Sequence, residues 1–161
     1  MSNRRNFIKK SALGTLGVSS ILSCDELNNV NIKKTYPRII STWNHGLEAN
    51  QKAWEVLKNG EGGLSAVEKG VKVSEADPKI RSVGYGGYPD RDGIVTLDAC
   101  IMDKNSNCGS VSFLQNIKHP ISVARHVMED TPHVMLSGKG ALDFAVSKGF
   151  KQEDLLTDES R

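Results

Sequence analysis

Two neighbouring segments of the chain carry apolar residues at helical spacing. The first, residues 47–58, ends at Asn59-Gly60, and the second begins after Gly62-Gly63 and ends at Asp77-Pro78. The residues expected to face the core are Leu47, Asn50, Trp54 and Leu57, with Ala49 and Ala53 beside them, and then Leu64, Val67 and Val71. The spacing therefore predicts two consecutive helices.

Strand patterns lie on either side of these helices. Residues 38–43 form a short run with high β-propensity. Residues 94–103 are apolar on both alternating faces, which predicts a strand that is covered on both sides. After a turn at 104–107, residues 108–114 are expected to return as the second strand of a hairpin.

The last third of the chain predicts two more helices separated by a short strand. Pro120 occupies a favoured first helical position, and a strand at 133–136 precedes a final helix that ends at Gly149. The residues expected to be buried are Ile121, Ala124, Val127 and Met128, and then Ala141, Leu142, Ala145 and Val146. The order β-α-α-β-β-α-β-α predicts an α+β fold with helices packed on a sheet.

Residues 1–23 differ from the rest of the chain in charge. The 161 residues carry a formal net charge of +2, but four basic residues and no acidic one lie in this leader, so that 17 basic and 19 acidic residues remain elsewhere. Those four basic residues are Arg4, Arg5, Lys9 and Lys10. The basic balance therefore belongs to the leader and does not indicate nucleic-acid binding.

The order of residues in the leader is typical of export. Arg-Arg-x-Phe-Ile-Lys ahead of a short apolar run resembles a twin-arginine signal over residues 1–23. Residues 21–24 resemble a lipoprotein box in which Cys24 is lipidated, and ordinary cleavage near Ser23 is the alternative. Residues 24–36 are polar and aperiodic, as in a tether. We expect an exported protein, either periplasmic or anchored to the membrane as a lipoprotein.

Other motifs do not predict a ligand. Gly84-x-Gly86-Gly87 lacks the spacing of a phosphate-binding loop, and Asp90-x-Asp92-Gly93 has Ile101 where a calcium loop needs glutamate. The four histidines have no zinc-like spacing to the cysteines. The sequence thus predicts no metal site and no cofactor.

Cys100 and Cys108 are expected to be free. If Asp103 faces Cys108 across the turn, the two cysteines are offset by three residues, which is ~10 Å along the strands. A disulfide needs Cα atoms within ~7 Å. We therefore predict two buried thiols.

Several segments together resemble bacterial members of the glycosylasparaginase branch of the N-terminal-nucleophile asparaginase family, over residues 38–157. They are Ser41-Thr42-Trp43-Asn44, the run from Asn59-Gly60 to Gly70, Asp77-Pro78, Ser82 to Gly87 with Pro89-Asp90, Val95 to Asp103, Pro120 to Arg125, and Thr131 to Val134. The run Leu97-Asp98-Ala99-x-Ile101-Met102-Asp103 is shared across the wider family. The Gly84–Asp90 loop and Thr42-Trp43 point to the branch.

The resemblance implies a four-layer αββα sandwich, of which residues 37–161 are the N-terminal half or α subunit. Family members cut their own precursor before a threonine in a His-Asp-Thr segment, and that threonine then attacks the amide that joins asparagine to N-acetylglucosamine. No His-Asp-Thr occurs here; Asp130-Thr131 precedes a proline and is interpreted as a helix end. The catalytic threonine is therefore expected after Arg161, with no catalytic residue, metal or cofactor in this chain.

The resemblance also implies partners and one binding residue. The partners are the chain's own C-terminal part, or β subunit, a glycosylated asparagine substrate, and a second αβ unit in a homodimer. Trp43 matches the tryptophan that lines the family's substrate pocket; the alternative is a core tryptophan at a strand end. His45 stands where close relatives carry an aromatic residue, and Asp98 is interpreted as structural.

Three functions stay open at this point. The first is a glycosylasparaginase, the second an asparaginase or isoaspartyl peptidase of the same fold, and the third a non-catalytic remnant. The chain alone is expected to be inactive. Residues 37–161 expressed alone are expected to aggregate or remain molten because the hairpin strands lack partners.

Overall fold

Four helices and three strands form within residues 36–161, the part of the chain that this computed structural model describes. The predicted export signal, the Cys24 lipidation site and nearly all of the tether lie outside the described residues. The elements are α1 (Gly46–Lys58), α2 (Gly63–Ala76), β1 (Leu97–Met102), β2 (Cys108–Leu114), α3 (Pro120–Asp130), β3 (Met135–Ser137) and α4 (Gly138–Ser147). None of these helices is long and apolar enough to cross a membrane.

The first predicted strand, residues 38–43, is irregular instead. Ile40 is 89% exposed and pairs with no strand in the described part of the chain. A run with high β-propensity becomes a strand only when a neighbour accepts its hydrogen bonds. The prediction is therefore wrong for this chain, and residues 38–43 lead directly into the turn that begins α1.

The sheet is mixed, in the order β1-β2-β3, with β1 and β2 antiparallel and β2 and β3 parallel. The hairpin pairs Met102 with Cys108 and Cys100 with Ser110, which is one residue away from the predicted register. The difference arises because Asp103 belongs to the turn: its carboxylate Oδ1 accepts the Asn105 and Asn107 amides at 2.8 and 2.9 Å.

The core lies between one face of this sheet and the helices α3 and α4. Gly109 of β2 permits close contact, since a Cβ there would lie 2.2 Å from the Ala124 carbonyl oxygen of α3. The core residues are Ile101, Val111, Leu114, Ile117, Ile121, Val123, Ala124, Val127, Ala141 and Ala145. Most of the residues predicted to be buried in the last third of the chain are among them.

The opposite face of the sheet is uncovered in residues 36–161. Met102 is 65% exposed, and Phe113 and Met135 are also largely exposed on this face. The prediction that β1 is covered on both sides is therefore wrong for this chain. Cys100 and Cys108 are free, as predicted, but the prediction that they are buried is wrong because they lie on this face.

Helices α1 and α2 pack through small side chains. The buried residues are Gly46, Ala49, Ala53 and Val56 in α1 and Ala66, Gly70, Ser74 and Glu75 in α2. The predicted packing stripes are wrong at Leu47, Trp54 and Val67, which are exposed. They are confirmed at Ala49 and Ala53, which are buried, and at Leu57, Leu64 and Val71, which are partly buried against the core clusters. A Cβ at Gly70 would lie 2.8 Å from the Ala49 carbonyl oxygen, so the helices approach too closely for large side chains.

Candidate functional site

A cavity of about 460 Å³ lies between the start of α1, the end of α2, β1 and the start of α3. Five segments form most of its wall: residues 41–46, Ser74 with Glu75, residues 82–84, residues 96–100, and Pro120 with Ile121. Segments far apart in sequence therefore converge on one concave region that has an aromatic residue, hydroxyl groups and carboxylates along it. This is the arrangement expected of a small-molecule site.

Trp43 stands on the wall of this cavity at the turn that begins α1. The Gly46 amide donates to the Trp43 carbonyl oxygen at 2.9 Å, which fixes the backbone of the turn. The indole is 71% exposed, so Trp43 does not lie in the core formed by residues 36–161. An exposed indole on a cavity wall offers a flat apolar surface with one N–H donor.

His45 connects the same turn to α2. Its Nδ1 lies 3.0 Å from the Ser74 Oγ in a hydrogen bond, and both side chains line the cavity. Because Ser74 is buried in the last turn of α2, this bond anchors the Trp43–Gly46 turn to a rigid element.

Glu75 is the most buried charged group at the site. Its side chain is 3% exposed, and its two oxygens accept the Ile121 amide at 3.0 Å and the His119 Nδ1–H at 3.1 Å. Burial raises the pKa of the Glu75 carboxyl above its ordinary value, although both hydrogen bonds act in the opposite direction. A carboxylate is tolerated here because its oxygens have partners.

Asp98 supports an irregular part of the sheet beside the cavity. Its Oδ1 accepts the Phe113 amide at 2.8 Å, at a bulge where the β1–β2 register shifts between Leu97 and Ala99. Phe113 has a φ of 54°, a left-handed conformation that costs about 1–3 kcal/mol for such a residue. Asp98 is hydrogen-bonded to the backbone, as predicted, and it is also exposed and lines the cavity.

The site provides binding surfaces rather than complete hydrolytic machinery. Ser74 and His45 are a nucleophile and a base by residue type, but Ser74 is buried and His45 has no carboxylate partner among residues 36–161. A working triad needs a third group that orients the base. Nor does this part of the chain gather three or more His, Cys, Asp or Glu side chains that could hold a metal ion.

Asp130 and Thr131 are placed as their helix-end interpretation predicts. Helix α3 ends at Asp130, and the Thr131 hydroxyl donates to the Val127 carbonyl oxygen at 2.7 Å. The threonine therefore closes a packed helix.

Sequence reasoning missed Ser74 and Glu75. The signal was the spacing of Ala66, Gly70 and Ser74, which places small and polar residues four apart on one face of α2. The spacing of the large apolar residues predicted instead that Val67 and Val71 lie on the buried face of α2. Such a stripe of small residues indicates which face of α2 is buried, but it does not identify the partners of the Glu75 carboxylate.

Comparison with known proteins defines the class to which these features belong. The family model described as asparaginase matches residues 30–161, so the chain belongs to the asparaginase family. Its α+β core with a small mixed sheet is the part of that fold present here.

Individual members of this family are similar to the chain over most of its length. An N(4)-(beta-N-acetylglucosaminyl)-L-asparaginase of Elizabethkingia miricola is 59% identical over 162 residues, which cover 99% of this chain and 48% of that protein. The protein of the same name from Rattus norvegicus is 45% identical over 126 residues, covering 78% of this chain and 36% of its own length. The chain therefore spans half or less of the length of these relatives.

Proposed function

We propose that this chain is the N-terminal part of an N4-(β-N-acetylglucosaminyl)-L-asparaginase, an amide hydrolase. The observation that carries the proposal is the 59% identity to a bacterial protein of that name along 99% of this chain. The cavity that Trp43 lines is where the substrate would bind. The substrate would be asparagine whose side-chain amide carries N-acetylglucosamine.

The catalytic group would come from a C-terminal part of the same precursor. Autoproteolysis would expose a threonine whose hydroxyl attacks the amide carbonyl carbon, with the new α-amine as the base that accepts its proton. The glycosylamine would leave, and water would then release aspartate from the acyl-enzyme. This chain would supply the cavity wall: the indole of Trp43 would shape a narrow amide site and exclude water from one side of it.

The same C-terminal part would cover the open face of the sheet. Met102, Phe113 and Met135 present apolar surface there, and the bacterial relative has about as much chain again beyond the matched region. A second sheet on this face, with its own outer helices, would complete a four-layer αββα sandwich. Apolar surface of this kind is normally buried against a partner.

A second candidate substrate is plain asparagine or an isoaspartyl peptide. The observation that favours it is His45, because a smaller, polar ring on the cavity wall changes the rim against which a sugar would lie. The Gly84–Asp90 loop favours the glycosylated substrate.

An assay of the complete precursor separates these functions. N4-(β-N-acetylglucosaminyl)-asparagine, asparagine and an isoaspartyl dipeptide are compared by aspartate release, each at several concentrations. We expect the highest kcat/KM for the glycosylated substrate. A higher value for either of the others overturns the glycan assignment, and no hydrolysis of any of them supports a non-catalytic remnant.

Export and lipidation remain predictions from the leader. We propose that Cys24 becomes the lipidated first residue of the mature protein. Cys24→Ser is then expected to move the protein from the membrane fraction to the soluble periplasmic fraction. An unchanged distribution favours ordinary cleavage near Ser23.

A further inference from the structure

We propose that Glu75 is a positioning residue for the candidate site. Its carboxylate holds the start of α3 against the end of α2, and its main-chain carbonyl holds the Gly84 loop there. Together these two contacts fix the shape of the cavity that Trp43 lines. The inference deepens the proposed function and rests on it for its kinetic test. It concerns a residue with no chemical part in amide hydrolysis.

The side chain of Glu75 joins α2 to the first turn of α3. Helix α3 begins at Pro120, which has no N–H, and the preceding His119 makes no side-chain capping hydrogen bond to the helix. The Ile121 amide is therefore left for another acceptor, and Glu75 Oε1 receives it at 3.0 Å. A carboxylate at a helix N-terminus also interacts favourably with the helix dipole. Because Pro120 and Ile121 line the cavity, this contact sets one of its walls.

The main chain of Glu75 holds a second wall. Its carbonyl oxygen accepts the Tyr85 amide at 2.8 Å. Gly84 has a φ of +59°, and a Cβ there would lie 2.1 Å from the same oxygen, so only glycine permits the approach. The next link in the loop is the Gly86 amide, which donates to the Leu155 carbonyl oxygen at 2.8 Å. The loop is thus fixed between α2 and the segment after α4.

The residue beside Glu75 holds the third wall. Ser74 bonds to His45, which belongs to the turn that carries Trp43. Three walls of the cavity therefore meet at two consecutive buried residues of one helical turn. A displacement of that turn would move the indole, the loop and the start of α3 together.

The chemistry of Glu75 predicts how substitutions will behave. Glutamine can accept the Ile121 amide with its carbonyl oxygen and can hydrogen-bond to His119 with its amide group. Alanine leaves the buried Ile121 amide without an acceptor and the part-buried His119 nitrogen without its partner. The variants should therefore rank with Glu75→Gln near the wild type and Glu75→Ala well below it.

Glu68, two helical turns before Glu75 in α2, provides a matched control. Glu68 also links α2 to α3, through the Ser122 hydroxyl at 2.6 Å and Arg125 at 2.8 Å, but it does not line the cavity. Glu68→Ala removes a carboxylate that joins the same two helices. It separates general loosening of the α2–α3 contact from loss of the cavity's shape.

The kinetic test uses the complete protein and its folded, processed fraction. We expect Glu75→Ala to lower kcat/KM about tenfold or more, with a raised KM, because small displacements of binding groups are costly. Glu75→Gln should stay within about threefold of the wild type, and Glu68→Ala should lower Tm while keeping KM within about twofold. An unchanged KM in Glu75→Ala, or an equal rise in Glu68→Ala, overturns the proposal. If Glu75→Ala does not accumulate, Glu75→Asp, whose shorter side chain cannot reach both partners, is judged by the same criteria.

A second readout does not depend on activity. The complete protein is labelled with 5-fluorotryptophan, and the Trp43 fluorine resonance is assigned by its loss in Trp43→Phe. We expect this resonance to shift in Glu75→Ala and Ser74→Ala and to keep its position in Glu68→Ala. Absence of amide hydrolysis in the wild type contradicts the proposed function, whereas an unmoved resonance in Glu75→Ala contradicts the positioning role.

Discussion

Trp43 reaches the cavity because the chain turns sharply just before α1. The Gly46 amide closes the turn onto the Trp43 carbonyl oxygen, and His45 fastens it to Ser74. A Cβ at Gly46 would lie 2.2 Å from the Ser41 Cβ, so the turn also requires a residue without a side chain there. The exposed indole is thus held by its backbone and by its neighbours rather than by burial in a core.

Replacement of Trp43 tests its assignment to substrate binding. In the complete protein, Trp43→Phe is expected to lower kcat/KM about tenfold, mainly through KM, because the smaller ring leaves the cavity wall incomplete. Trp54→Phe is the control, since Trp54 lies on α1 away from the cavity. Equal kinetics for Trp43→Phe and the wild type would remove Trp43 from the binding surface.

Two carboxylates of α2 have opposite electrostatic environments. Burial of Glu68 would raise the pKa of its carboxyl, but hydrogen bonds from Ser122 and Arg125 outweigh that effect and lower the pKa. Glu75 has a raised pKa because its burial is nearly complete. The ionised form of Glu68 therefore stabilises the fold, while ionisation of Glu75 reduces stability.

This difference predicts a dependence of stability on pH. The contribution of Glu68 is present above its unfolded pKa and is lost as the pH falls through its lower folded pKa. Glu68→Gln should therefore cost about 1 kcal/mol at pH 7 and less as the solution is acidified. Thermal unfolding of the complete protein across this pH range measures the difference, with exposed Glu159→Gln as control. A deficit that is the same at all pH values contradicts the assignment.

For Glu75 the sign is reversed. Its folded pKa is raised, so its ionisation reduces stability as the pH increases from the unfolded pKa through the folded one. We expect Glu75→Gln to gain stability relative to the wild type over that interval. The same unfolding measurements check this, and a relative loss with rising pH would show that the hydrogen bonds of the charged form outweigh burial.

Helices α1 and α2 approach closely because small residues face each other. Gly70 lies against Ala49 and Ala53, and a Cβ at Gly70 would come within 2.8 and 3.2 Å of their atoms. The contact depends on backbone proximity and offers little room for adjustment.

Glycine substitutions within α2 test this packing. Gly70→Ala is expected to lower stability by about 1–3 kcal/mol through overpacking, despite the better helix propensity of alanine. Gly63→Ala, at the first position of the same helix with nothing within 4 Å of a new Cβ, should be neutral or slightly stabilising. Equal thermal stability of the two variants would contradict the close contact.

The sequence predicted elements best where local signals and tertiary contacts agree. Pro120 and the spacing of Ile121, Ala124 and Val127 identified α3 because its apolar stripe is the face that packs on the sheet. The buried faces of α1 and α2 could not be predicted from large apolar residues. These two helices approach each other closely, and their contact is formed by alanine and glycine rather than leucine. Residues 38–43 have strand-forming residues but no strand beside them in the described part of the chain.

The candidate site was only partly predictable for a related reason. Trp43 was identified by its resemblance to a family motif, whereas Glu75 matters through contacts with residues 44 and 46 positions later in the chain. Such contacts leave no local pattern. The hairpin register was missed by one residue because the carboxylate of Asp103 organises the turn from inside it.

At the scale of the whole molecule, the uncovered sheet face is the feature that most needs explanation. Within residues 36–161, apolar side chains on β1, β2 and β3 face outward, and the helices of this part of the chain cover the other side. The relatives are two or more times as long as the matched region. A C-terminal part that packs on this face accounts for both observations.

The behaviour of residues 37–161 alone tests this account of the sheet. Expressed without a C-terminal part, they should aggregate or bind a dye for exposed apolar surface such as ANS, because Met102, Phe113 and Met135 lack cover. Coexpression with the C-terminal part should yield a soluble complex without dye binding. A soluble, cooperatively melting monomer of residues 37–161 would contradict the prediction.

The most direct test of the central claim joins chain processing to activity in one experiment. The complete precursor is purified, its polypeptides are weighed by mass spectrometry and sequenced from their N-termini, and hydrolysis of N4-(β-N-acetylglucosaminyl)-asparagine is followed alongside. We expect two polypeptides, the second beginning with threonine, and hydrolysis only when both are present. Hydrolysis by the 161-residue chain alone, or by an uncleaved precursor, would contradict the account.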